Sequence, residues 1–375
     1  MPNYKYITLF LCIFYFSGKE DFLYASNFQD SVYYAIEARF HYGFAVPHQP
    51  DMFYNINDYV RSGEINIVRR RYKSNVWESN SRRLETGIGL WFSSLGRNDI
   101  YGQAFSVYPF INLHLFKLGQ LSAKSRVSLG LGYANKPYNR DSNPYNNVFG
   151  SHLNAYIGLG LMFYYPVIEG LSLQGGISLN HLSNGATQKP NNGINTVALT
   201  IGARYDLTDS KQFANKNYEN KRYKKHELLS TLSLGRNHPA IYYYKKFWSG
   251  SITLTQLWYV KNTLALGLGL DFIYHGGAPF TYKTYSQMVD TFSFSYKDYL
   301  YAGTFATLEY HLGSTSLYME PGYYLYYKTK PRQPLYARLG VRQKIYKNVW
   351  AHFGIKANYF VAEFIEFGLG YRLKY

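Results

Sequence analysis

Alternation of apolar with small or polar residues, at a period of two, is the dominant signal along this chain. In the last segment, IEFGLGYRLKY, one face carries Ile365, Phe367, Leu369, Tyr371, Leu373 and Tyr375, and the other Glu366, Gly368, Gly370, Arg372 and Lys374. Such a strand offers one side to hydrocarbon and the other to water. The pattern recurs in Leu264 to Phe272, Leu335 to Val341 and Val349 to Ile355, each time with small and charged residues opposite the aliphatics. Read this way, strands fall near 33–46, 64–71, 83–95, 101–116, 125–135, 150–165, 171–184, 195–206, 226–236, 247–260, 264–274, 299–312, 316–326, 335–345, 349–360 and 363–375. An even count suits a single-chain bacterial barrel, and a soluble sandwich would not place charges so regularly on its second face.

The expected fold is therefore all-β, a transmembrane antiparallel up-and-down β-barrel of about sixteen strands, within an even range of about 12 to 16, over residues 27–375. Connections alternate between tight (PVIEG, KN, GST, YKN) and long (136–149, 184–194, 275–298), as periplasmic turns and outer loops do. Two links depart from this: YKSNVWESNSR is long for a turn, and 207–225 is a basic, polar insertion on the expected periplasmic side. The second could instead separate an eight-strand first half from a second domain. No sequence repeat relates the halves.

The amino terminus changes the picture only by adding an address. Lys5, the apolar run Ile7 to Phe16 and the small residues around Ser26 predict a secretory signal peptide over 1–26, too short to cross a bilayer as a helix. The one cysteine, Cys12, lies inside it, so the mature chain is expected to have no disulfide. Forty-two Tyr, 25 Phe and 32 Gly fit a β-rich protein. The net charge of +17 is dispersed over expected lumen positions, turns and 207–225, with no nucleic-acid-binding module. For an outer-membrane barrel the polyanion at hand is lipopolysaccharide.

Candidate chemistry sits in SLNHLSNGATQKPNNGINTVALTIGARY, Ser178 to Tyr205. His181 and Ser183 share the parity of Leu171, Leu173, Ile177 and Leu179, and so point toward lipid at the outer-leaflet end of the seventh strand. In the next strand Asn195 shares the parity of Val197, Leu199 and Ile201. Adjacent strands lie about 4.8 Å apart, so these three side chains can converge. A hydroxyl, an imidazole and a carbonyl oxygen are the parts of a nucleophile, base and orienter relay. Elsewhere, His152, Glu309, His311, Glu320 and His352 are expected to line the lumen. No spacing suggests a metal site, and the GLGLGL-type runs precede no helix, so neither a metal nor a nucleotide cofactor is expected.

His181-Leu-Ser183-Asn184-Gly185, followed by Pro190-Asn191-Asn192-Gly193-Ile194, resembles the active-site motif of the lipid A 3-O-deacylase (PagL-like) family of outer-membrane barrels, also named acyloxyacyl hydrolases. The likeness covers mainly 175–205. It implies an esterase acting on an acyl chain of lipid A, with Ser183 as nucleophile and His181 as general base. By the same resemblance Asn191 and the Ala186 backbone N–H match the oxyanion hole, and Asn184 the supporting asparagine. The family has glutamate where this chain has Asn195. Asparagine can accept from an imidazole but cannot balance an imidazolium, and replacing the acid cost one serine protease about 10⁴ in rate. The family barrel has eight strands, which leaves the second half unexplained. The rival expectation is a passive porin or structural barrel with a degenerate motif.

Overall fold

The computed structural model describes residues 31–72, 84–208, 226–241, 245–261, 263–281, 294–359 and 361–374. Sixteen antiparallel strands form, in order, β1 (Ser31–Val46), β2 (Val60–Tyr72), β3 (Leu84–Ser94), β4 (Gln103–Leu118), β5 (Leu121–Ala134), β6 (Leu153–Ile168), β7 (Leu171–Ser183) and β8 (Ile194–Asp206), then β9 (His226–Asn237), β10 (Phe247–Lys261), β11 (Leu264–His275), β12 (Leu300–Leu312), β13 (Thr315–Tyr327), β14 (Leu335–Tyr346), β15 (Val349–Asn358) and β16 (Val361–Lys374). Every strand expected from the alternation is present. The closure is different: β1–β8 form one closed barrel and β9–β16 a second.

The single barrel of about sixteen strands is thus corrected to two barrels of eight. β1 pairs with β8, with Phe40 opposite Ile201 and Val46 opposite Asn195, and β9 pairs with β16, with Gly235 opposite Glu366. The reading in which 207–225 separates two halves matches this division, which falls near residue 219. Residues 209–225, like the signal peptide over 1–26 and most of 72–82, lie outside the described residues.

Alternation sets which face each side chain takes but carries no information on where a sheet closes. Interior volume does. An eight-strand ring leaves a bore that side chains alone can fill, and both bores are filled. In the first, Glu37, fully buried, meets Arg39 at 2.7 Å, Arg126 at 2.6 Å and Arg204 at 3.1 Å. Glu64 and Glu85 take further contacts from Arg126, Arg204 and Lys124. In the second, Arg338 bridges Asp271 and Glu366, and Arg342 bridges Glu309 and Glu320.

The expected wet lumen is therefore absent from both described bores. Glu309, His311, Glu320 and His352 do point inward, but they are buried and engaged in ion pairs or hydrogen bonds rather than solvated. His152 is not a lumen residue. It is exposed just ahead of β6, stacked on Tyr133 with its Nδ1 2.8 Å from the Ala134 carbonyl.

Outward faces are predominantly apolar, with charged exceptions such as Arg61, Arg69 and Arg236 near strand ends. Leu173, Ile177, Leu199 and Ile201 of the first barrel, and Leu266, Leu268, Leu270 and Phe272 of the second, are all exposed. A contiguous apolar surface of that extent is unsuited to water, whereas strands of 10–16 residues are long enough to cross hydrocarbon at a tilt. The inward positions between them, such as Gln174, Asn180 and Asp271, are buried.

Candidate functional site

The site is built at the loop end of β7, where the strand's outward parity continues past its aliphatic residues. Leu173, Ile177 and Leu179 are exposed, and His181 and Ser183 follow on the same face. Register places His181 directly across from Asn195 of β8, and Ser183 across from Ala155 of β6. The Ser183 hydroxyl lies 2.9 Å from His181 Nε2, and His181 Nδ1 lies 2.7 Å from Asn195 Oδ1. An amide oxygen only accepts, so Nδ1 carries the proton and Nε2 is the free base facing the hydroxyl. The convergence expected from the sequence is present, and these hydrogen bonds on both ring nitrogens involve no carboxylate.

The ten-residue loop 184–193 covers this pair, and Ser183 is only 4% exposed although it sits on the outward face. Asn184 pins the loop: its Nδ2 donates to the Gln188 carbonyl at 2.7 Å and to Ser151 Oγ at 3.0 Å, and its carbonyl accepts from Thr187. Asn191 Oδ1 accepts the Asn184 backbone N–H at 2.8 Å, which leaves the Asn191 NH₂ as a donor turned elsewhere. Gly185 and Ala186 are both left-handed, with φ of 60°. For alanine that conformation costs about 1–2 kcal/mol and is held only where the surroundings impose it. Ala186 is buried, and no acceptor among the described residues takes its N–H. The loop is also stitched to 147–148 through the Asn192 and Gly193 amides.

Two residues were not singled out by the sequence. Gly193, at φ +72°, passes so close that a Cβ there would stand 3.0 Å from His181 Cε1 and 3.1 Å from Ser183 Cβ. Gly193→Ala is therefore expected to displace the imidazole or the hydroxyl and lower turnover by about 10- to 100-fold in a protein that still folds, as read by initial rates on micellar lipid. His48, in the loop after β1, lies 3.2 Å by its Nδ1 from Asn195 Nδ2 and 2.8 Å by its Nε2 from the Asn192 carbonyl. It reaches the site only because β1 closes on β8.

Among the described residues the second barrel has no such trio at the matching place. The connection from β15 to β16 spans only two residues, and the outward positions at the end of β15 are Ile355 and Ala357. Among the described residues no group of three or more His, Cys, Asp or Glu could hold a metal.

Comparison with known proteins finds a similarity in each half. Residues 67–204 match the family model described as lipid A 3-O-deacylase (PagL), and residues 226–375 match acyloxyacyl hydrolase, C-terminal domain. No curated protein matches the chain. Among solved structures, the outer membrane enzyme PagL is similar at 17% identity, with 45% of this chain and 97% of that one covered and a TM-score of 0.32. Neisserial surface protein A is similar at 13% identity, covering 48% and 99% with a TM-score of 0.31. The translocator domain of the autotransporter NalP from Neisseria meningitidis is similar at 11% identity, covering 98% and 96% with a TM-score of 0.21. His181, Ser183, Asn191 and Asn195 fall inside the first match and the whole second barrel inside the other, so the first half is similar to the lipid A 3-O-deacylase (PagL) family and the second to the acyloxyacyl hydrolase C-terminal domain.

Proposed function

We propose that the first barrel is an outer-membrane esterase that removes one ester-linked acyl chain, at the 3-position, from lipid A of lipopolysaccharide. The observation that carries this reading is the continuous Ser183–His181–Asn195 hydrogen-bonded line on the outward, apolar face of β7 and β8. A substrate anchored in the outer leaflet reaches such a line from the side, without leaving the membrane.

In this reading Ser183 Oγ attacks the ester carbonyl as its proton passes to His181 Nε2. The Asn191 NH₂ and the Ala186 N–H bind the oxyanion, and Asn184 holds the loop that presents them. His181 returns the proton to the leaving 3-oxygen of the sugar, giving an acyl-serine. Water activated by the same nitrogen then releases the fatty acid. No cofactor or metal enters. Lipid A is the one partner the mechanism needs, and nucleic acid has no part in it. The porin alternative is disfavoured by bores closed with buried ion pairs.

Expression in a host with ordinary lipid A, followed by mass spectrometry of that lipid A, tests the proposal: loss of one acyl chain is expected, and an unchanged mass from folded protein counts against it. Asn195 has its own test. Asn195→Ala is expected to lower the rate about tenfold or more, since the imidazole loses its orienter. Asn195→Glu is expected to raise the rate by adding a charge beneath the imidazolium. Equal rates for all three proteins would remove Asn195 from the mechanism.

A further inference from the structure

An asparagine orienter has a weakness that a carboxylate lacks. Both oxygens of a carboxylate accept, so either orientation serves. An amide turned by 180° would instead present NH₂ to His181 Nδ1, which could then only accept, and the ring proton would move to Nε2 and face Ser183. That tautomer is no base for the hydroxyl. The 10⁴ loss on replacing the acid in a serine protease arises from this wrong tautomer. What fixes the Asn195 amide therefore decides whether the relay works.

We infer that His48 is the positioning residue that fixes it. This rests on the Ser183–His181 relay proposed above. His48 Nε2 lies 2.8 Å from the Asn192 carbonyl, which can only accept, so Nε2 carries the His48 proton. Two atoms face Nδ1: the Val46 carbonyl at 3.4 Å, longer than an ordinary N–H···O bond, and Asn195 Nδ2 at 3.2 Å; with the proton held on Nε2 by the shorter contact, Nδ1 is an acceptor for the Asn195 NH₂. Donors and acceptors then run in one direction, from the Ser183 hydroxyl through His181, Asn195 and His48 to the Asn192 carbonyl. A flipped Asn195 would set its oxygen against the His48 Nδ1 lone pair while setting its NH₂ against His181, with a mismatch at both ends. Asn192 stands beside Asn191 on the loop covering Ser183, so the same ring ties the orienter to that loop. His48 itself is exposed, so replacing it opens no cavity.

A double-mutant cycle tests this, with turnover and KM measured on purified, folded protein in lipid A micelles and folding checked by heat-modifiable migration. In the natural background His48→Ala is expected to reduce kcat about tenfold or more with KM nearly unchanged, because a fraction of molecules adopts the wrong tautomer. In the Asn195→Glu background the same His48→Ala change is expected to cost less than about twofold, since a carboxylate needs no orientation. His48→Asn, which keeps an acceptor at the Nδ1 position, should retain more activity than His48→Gln, which keeps only a donor toward Asn192. Nitrogen-15 spectra should show His181 protonated on Nδ1 in the natural protein and as a mixture in His48→Ala.

Unchanged kcat in His48→Ala overturns the inference. So does an equal loss in both backgrounds, or His48→Gln outperforming His48→Asn, since His48 would then act by holding the loop. Failure of the underlying relay looks different: Ser183→Ala would turn over as fast as the natural protein, whatever stands at 48.

Discussion

Ser183→Ala is expected to abolish acyl-chain release, lowering kcat by about 10⁴-fold or more while leaving the barrel folded and KM for lipid A little changed. The size follows from what is removed. Without Oγ no acyl intermediate forms, and His181 Nε2, 2.9 Å from the lost oxygen, could at best direct a water in its place; loss of the nucleophile in serine hydrolases costs on the order of 10⁶ in kcat, with the oxyanion donors accounting for the residual rate. The side chain is small and its loss leaves no charge unpaired, so stability should fall by no more than about 1 kcal/mol. Initial rates on defined lipid A, beside a urea titration of both proteins in the same micelles, separate the two effects. A variant retaining a tenth of the natural rate would remove Ser183 from the chemistry.

The largest effect on folding is expected from Glu37→Ala. Glu37 sits at 0% exposure at the centre of the first bore, accepting from Arg39, Arg126 and Arg204 and from the Tyr164 hydroxyl at 3.3 Å. Removing it takes the shared carboxylate from three buried guanidinium groups, which keep only Glu64, Glu85 and Asp206 as partners, and breaking a buried pair in this way costs about 3–5 kcal/mol. That is a large share of the stability of a domain this size. The urea midpoint of protein folded into lipid vesicles, followed by migration of the unheated sample, reads the loss. A shift corresponding to less than about 1 kcal/mol would mean that the buried network contributes little to holding the ring closed.

Strand existence was legible in the sequence because one face of every strand meets hydrocarbon and the other the bore, a contrast that period-two alternation reports residue by residue. The pairing of His181 with Asn195 was legible for the same reason: two strands joined by one loop must be neighbours, and parity put both side chains outward. Closure was not legible. Leu199 and Ile201 look the same whether β8 continues to β9 or returns to β1, and only the volume and charge balance of the interior distinguishes the two. The missing carboxylate made this matter. In a ring of sixteen strands β8 would lie beside β9, and His48 would be far from Asn195. Once β1 pairs with β8, Val46 stands opposite Asn195 and His48 follows two residues on. The contact between His48 and Asn195 was hidden by the one topological property that alternation does not encode. Gly193 was missed for a local reason, since its role depends on a close approach that no spacing reveals.

The most direct measurement is fatty acid release from purified natural protein incubated with chemically defined lipid A. The account predicts one free fatty acid per lipid A, drawn from the 3-position ester, with a free 3-hydroxyl left on the sugar and no release from Ser183→Ala. Folded protein that releases no fatty acid, or releases it equally well with alanine at 183, would contradict it.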